Sequence, residues 1–77
     1  MKINGKTYLY IPIFIDVSDQ IIEAPIVLDT YNKADKYCQK VQGYIYNEDT
    51  DMYVNVHDES KVIVIEKAEY IAEEKRR

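Results

Sequence analysis

The stretch Thr7-Tyr8-Leu9-Tyr10-Ile11-Pro12-Ile13-Phe14-Ile15-Asp16-Val17, TYLYIPIFIDV, decides the fold. Its side chains change character at every second position, the period of an extended strand whose successive residues point to opposite faces. Leu9, Ile11, Ile13, Ile15 and Val17 share one face, while Tyr8, Tyr10, Pro12, Phe14 and Asp16 share the other. The first face is aliphatic and the second aromatic. Pro12 has no backbone N–H to donate, so the strand is expected at a sheet edge, or with a bulge at that point.

Outward from this strand, Asn4-Gly5 is a hairpin turn signal, because both residues tolerate positive φ. It would fold Met1–Ile3 back onto Lys6–Tyr10. On the other side Ser18-Asp19-Gln20 turns the chain into a second expected strand, Ile21–Leu28, interrupted by Pro25. The period then changes to 3.6 over residues 30–42. Ala34, Tyr37, Cys38 and Val41 fall at i, i+3, i+4 and i+7, and Tyr31 extends the stripe backwards. Asp29 or Thr30 can cap this helix, and Gly43 can close it in the left-handed conformation.

Three strand-like runs follow, at 44–46, 52–56 and 61–66, separated by the polar turns Asn47–Asp51 and His57–Ser60. The segment 67–77, KAEYIAEEKRR, is rich in helix formers, and Lys75-Arg76-Arg77 suit the negative pole of a helix C-terminus. The expected architecture is α+β in the order β-β-α-β-β-β-α. A mostly antiparallel sheet of about five strands carries a central helix and a short C-terminal one. A chain of 77 residues is read as one domain, residues 1–77.

Composition narrows the function. The chain is 47% hydrophobic and 31% charged, which fits a packed globular protein and not a disordered one. Its single cysteine, Cys38, allows no internal disulfide. The N-terminal residues lack the apolar core of a signal peptide, and no run approaches a membrane span, so a cytoplasmic location is expected. The net charge of −4 opposes binding to a phosphate backbone, so direct nucleic-acid binding is disfavoured and a basic protein surface suits better.

Catalytic patterns are weak. His57, Asp58, Glu59 and Ser60 are the residue types of a hydrolytic triad, but neighbours in a tight loop point apart, whereas a triad converges from separate parts of a fold. Cys38 lies on the apolar stripe of the helix, as a small buried hydrophobe would. Glu48, Asp49 and Asp51 offer oxygen ligands without the glycine and ligand order of a calcium loop. One histidine and one cysteine cannot complete a zinc site. No glycine-rich phosphate loop is present. The protein is therefore read as a non-enzyme with no cofactor.

Two surface features remain. Lys33, Lys36 and Lys40 share one side of the helix and would form an anion-contacting ridge; a solvated helix face is the plainer reading. Tyr8, Tyr10 and Phe14 form one aromatic stripe, Tyr44 and Tyr46 a second, and Tyr53 a third. The aliphatic faces, with Leu9, Ile11, Ile13, Ile15, Val54 and Val56, are expected to claim the helical cover, leaving tyrosines half exposed. Such rings either pair across strands or contact a partner. The leading expectation is a small acidic inhibitor or adaptor that occludes a partner protein through Tyr8, Tyr10, Phe14, Tyr44, Tyr46 and Tyr53, with Glu48, Asp49 and Asp51 meeting basic groups. In size and in its Lys, Ile, Tyr, Asn and Asp content the chain resembles small phage or mobile-element accessory proteins. Alternative expectations are a homo-oligomer that sequesters a nucleotide-like anion on Lys33, Lys36 and Lys40, and a structural subunit of a larger assembly.

Overall fold

A computed structural model describes residues 7–70 of the protein. Five strands and one helix follow in the order β1 (Thr7–Asp16), β2 (Ile21–Glu23), α1 (Tyr31–Gln39), β3 (Tyr44–Asn47), β4 (Met52–Asn55) and β5 (Lys61–Tyr70). All strand pairs are antiparallel, in the spatial order β2-β1-β5-β4-β3. The α+β class holds. The hairpin expected of Met1–Ile3 and Asn4-Gly5 lies outside the described residues, as does the 71–77 part of the expected C-terminal helix.

The remainder of that helix is a correction. Lys67–Tyr70 continue β5 as strand, in register with β1 from Thr7↔Tyr70 to Tyr10↔Lys67. Lys, Ala and Glu favour a helix by tenths of a kcal/mol each (about 0–0.7). Here the open backbone of Thr7–Tyr10 offers them a long-range ladder, and tertiary pairing overrides such a weak preference.

Expected edge strand β1 is instead second in the sheet, between β2 and β5. Its outer side is only partly paired, by β2 at Phe14–Asp16 and by an isolated bridge to Leu28 at Tyr10. The Tyr10 N–H donates outward to the Leu28 carbonyl at 2.8 Å. Alternate residues of an antiparallel strand present their N–H groups to the same side, so Pro12 would also face outward. It falls in the gap between the two paired stretches, where a missing donor costs nothing. The second strand is shorter than expected: regular pairing stops at Glu23, before Ala24-Pro25, and only Leu28 returns to β1.

Helix α1 begins at Thr30, whose side-chain oxygen accepts from the Lys33 N–H at 3.1 Å. That satisfies one of the free donors of the first turn. Past its end, Gly43 adopts φ +86°, a conformation that side chains with a Cβ rarely enter. The Gly43 carbonyl then accepts from Val56 N–H at 2.8 Å, starting the β3–β4 pairing.

The helix covers the aromatic face, contrary to expectation. Cys38, Tyr53 and Ile63 form the buried cluster, with Phe14, Tyr37, Val41, Tyr44 and Ile65 packed around it. Phe14 meets Tyr37 and Tyr44 edge to face, with ring centroids 6.5 and 6.1 Å apart. The reason lies in area: an aromatic ring buries more surface than an aliphatic side chain, so a single helix removes most surface from water when laid over rings. Ala34 and Cys38, both at 0% exposure, are the small residues that let the helix approach.

Among the described residues no helix lies on the opposite face. Strand register aligns Ile22, Ile15, Val62, Val54 and Ile45 in one row across all five strands. Ile13, Val64 and Met52 form the next row. Ile22 is 70% exposed and Ile45 60%.

Candidate functional site

The tyrosines divide into three groups. Phe14, Tyr44 and Tyr53 pack beneath α1, with Tyr53 at 6% exposure. Tyr10 is half-buried and meets the ring of Tyr31 edge to face at 6.0 Å. Tyr8 lies at the start of β1, where Lys67 Nζ sits 4.3 Å from its ring centroid, a cation–π contact. The third group joins α1 to β3, where Tyr31, which also meets Tyr10, and Tyr46 are each about half exposed.

Here the fold brings together residues far apart in sequence. Antiparallel pairing places Tyr46 opposite Tyr53 on one face, with ring centroids 5.3 Å apart. The turn of α1 over these strands brings Asp35 to Tyr53, whose hydroxyl donates to Asp35 Oδ1 at 2.6 Å. Gln39, one helical turn later, donates its Nε2 to Asp35 Oδ2 at 2.9 Å. At the hairpin tip, Asp51 takes φ +58° and donates its N–H to the Asn47 carbonyl. This turns its carboxylate back onto Tyr46, whose hydroxyl donates to Asp51 Oδ1 at 2.5 Å.

The result is an open cleft of about 520 Å³, lined by Tyr31, Asp35, Gln39, Tyr44, Ile45, Tyr46 and Tyr53. A smaller hollow deepens it between Tyr31, Tyr46, Asp51 and Tyr53. No lysine or arginine among the described residues forms an ion pair with Asp35 or Asp51. Each carboxylate oxygen has two lone pairs, so the tyrosine bonds leave acceptor capacity. Asp35 lines the cleft and Asp51 the smaller hollow, and the two share Tyr31, Tyr46 and Tyr53, so two anions and aromatic rings lie close together, an arrangement that attracts a cation. Glu48 and Asp49 are exposed on the adjacent tip.

The hydrogen bonds hold protons on the phenols. Acceptance by Asp51 pushes Tyr46 up to about 12, from an ordinary 10.0. Burial, then the bond to Asp35, raises Tyr53 further, and burial raises Tyr31. A phenol raised in the folded state contributes stability below its unfolded value, lost as pH rises through its folded one. Absorbance titration at 295 nm should therefore show some tyrosine still protonated at about pH 11, and Tyr46→Phe should remove a step near 12. Simple ionisation of every tyrosine near 10.0 would contradict these bonds.

The other sequence candidates lie elsewhere. Lys33 pairs with Asp29 at 3.0 Å, on an exposed helix edge where such a pair contributes little; Lys36 and Lys40 are exposed. His57 is exposed, and its N–H donates to Asn55 Oδ1. Asp58 accepts from the amide and hydroxyl of Ser60, and these bonds hold its carboxyl below the usual range. Lys61 reaches both Asp16 and Asp58, at 3.3 and 3.4 Å, stitching that loop to β1. Cys38 is buried, which pushes its thiol up to about 11 and away from the reactive thiolate. No metal-holding group of His, Cys, Asp and Glu occurs among the described residues. No helix among them is long and apolar enough to cross a membrane.

Tyr31 and Asp35 were not among the sequence-predicted partner-binding residues. Tyr31, expected to extend the buried stripe, is 49% exposed and instead shares a flank beside it with Asp35 and Gln39, every fourth position being the available signal. No protein-family model, curated protein or solved structure matches the chain.

Proposed function

We propose that the protein is a non-enzymatic binding module that docks onto a basic segment of a partner protein. A lysine or arginine side chain enters the cleft between α1 and the β3–β4 hairpin. The observation that carries this reading is that Asp35, bonded to Tyr53, and Asp51, bonded to Tyr46, line two hollows that share Tyr31, Tyr46 and Tyr53, and neither forms an ion pair with a cation of the described residues. An ammonium over a tyrosine face gains about 0.5–2 kcal/mol, according to how far water is excluded. The two carboxylates add charge-assisted hydrogen bonds, the stronger kind. Glu48 and Asp49 extend the negative field along the partner, which raises the encounter rate and makes it salt-dependent.

In this role the module blocks or bridges a basic surface, as an inhibitor or adaptor does. The test uses synthetic lysine-containing peptides and amide NMR shifts. Shifts should concentrate at Tyr31, Asp35, Tyr46 and Asp51. Acetylating the lysine should weaken binding about tenfold or more, since it removes the charge. Tyr46→Ser with Asp51→Asn should do the same while the helix and sheet resonances stay in place. Equal binding of native and acetylated peptides, or equal binding by the folded double variant, would refute the reading.

A further inference from the structure

From the uncovered face of the sheet we infer that the protein forms a symmetric homodimer, in which the face opposite α1 packs on the same face of a second copy. This inference uses different residues from the cation cleft and stands apart from it. The face is built by strand parity: on β1, β5 and β4 the residues that alternate with the helix-packed set are Ile11, Ile13, Ile15, Val64 and Val54, all partly exposed, with Val62 sealed among them at 9% exposure. Glu66 is the only charged residue on that face of the five strands. Both ends of the central row, Ile22 and Ile45, are more than half exposed, as are Val17 and Val56 beside them.

Size and charge point to the occupant. Strands about 4.8 Å apart and same-face rows about 6.8 Å apart give the apolar field roughly 500 Å² per copy. Two such fields bury roughly 1,000 Å², the lower range of specific association. A patch of this extent is at the limit of what a monomer leaves in water. Within the strands this face carries one charge, Glu66, and Glu48, Asp49 and Glu59 stay at its β3–β4 end beside Ile45 and Val56, so its apolar centre has nothing with which to select a charged foreign partner. A second copy, however, presents the same aliphatic field. A two-fold rotation lays one over the other as two aligned sheets about 10 Å apart. The helices then lie on the two outer surfaces, and each copy's cation cleft stays open at a flank.

Sedimentation equilibrium over a concentration series tests this. The native protein, of 9.1 kDa per chain, should reach twice that mass in the micromolar to millimolar range. Added salt should favour the dimer, because it screens the repulsion between two chains of net charge −4. Val54→Lys with Val64→Lys should weaken association at least a hundredfold and keep the near-ultraviolet circular dichroism of the tyrosines packed on the other face. Should that variant unfold, Ile22→Lys with Val56→Lys places the charges at more exposed positions and should still weaken the dimer at least tenfold. A native protein that stays monomeric at about 1 mM, beyond the range of specific dimers, overturns the inference. A dimer unaffected by either folded lysine pair, or one disrupted by Tyr46→Ser instead, overturns it equally.

Discussion

Tyr53→Ala is expected to lower the unfolding free energy by about 4 kcal/mol, the cost of removing a large buried ring. A domain of this length has only about 4–11 kcal/mol to lose. The variant would therefore be partly unfolded at room temperature or melt far below the native protein. The size of the effect follows from Tyr53's double attachment. Its ring lies in the buried cluster with Cys38 and Ile63, while its hydroxyl donates to Asp35 and so joins β4 to α1. Tyr53→Phe separates the two contributions. It keeps the ring and removes the bond, so a loss of about 1 kcal/mol is expected. Urea unfolding of both variants, followed by far-ultraviolet circular dichroism, decides the matter: equal losses would mean that the ring is not an anchor.

Ile63→Ala is the second large effect, at about 3 kcal/mol, because nothing near a fully buried isoleucine can move in to fill the space. Its value as a test comes from comparison with Val64→Ala, one residue along the same strand but on the uncovered face. At protein concentrations low enough to hold the chain monomeric, Val64→Ala should cost about 1 kcal/mol, since a side chain still partly open to water leaves no sealed cavity. A reversal of this order, with Val64 the costlier position, would show that the helix covers the aliphatic face after all.

That choice of face marks the boundary of what the sequence makes legible. Alternation in TYLYIPIFID identifies which residues share a side, and strand β1 appears where the period predicts. Helix α1 is equally legible, since Ala34, Tyr37, Cys38 and Val41 define a stripe and Thr30 a cap. Periodicity is silent, however, about which of two apolar faces receives the helix. In β5 both parities are aliphatic over Val62–Ile65, so that strand does not break the tie. The strand at Lys67–Tyr70 was hidden for another reason: its cause is a partner about sixty positions away. The cation cleft was legible only in parts. Tyr46, Asp51 and Tyr53 stand out as an acidic, tyrosine-rich hairpin. Asp35 and Tyr31 become their neighbours only through the angle at which α1 lies on the sheet, and that angle is not written in local pattern.

The position of β5 has a consequence for how the molecule is made. Strands β2 and β1 form one ribbon and β3 and β4 another, and β5 is the strand whose backbone ladders join them. A ribosome synthesises β5 after all the others, so a nascent chain emerging up to Ser60 holds two unjoined ribbons and a helix with half a floor. Bridging them requires closing a long segment between β1 and β5, an entropically slow step compared with forming the β3–β4 hairpin. Folding of the sheet is thus deferred until β5 has been synthesised. During that interval the aliphatic rows of β1 stand without their central neighbour, a window in which a chaperone, or the matching strand of another nascent chain, has its best access.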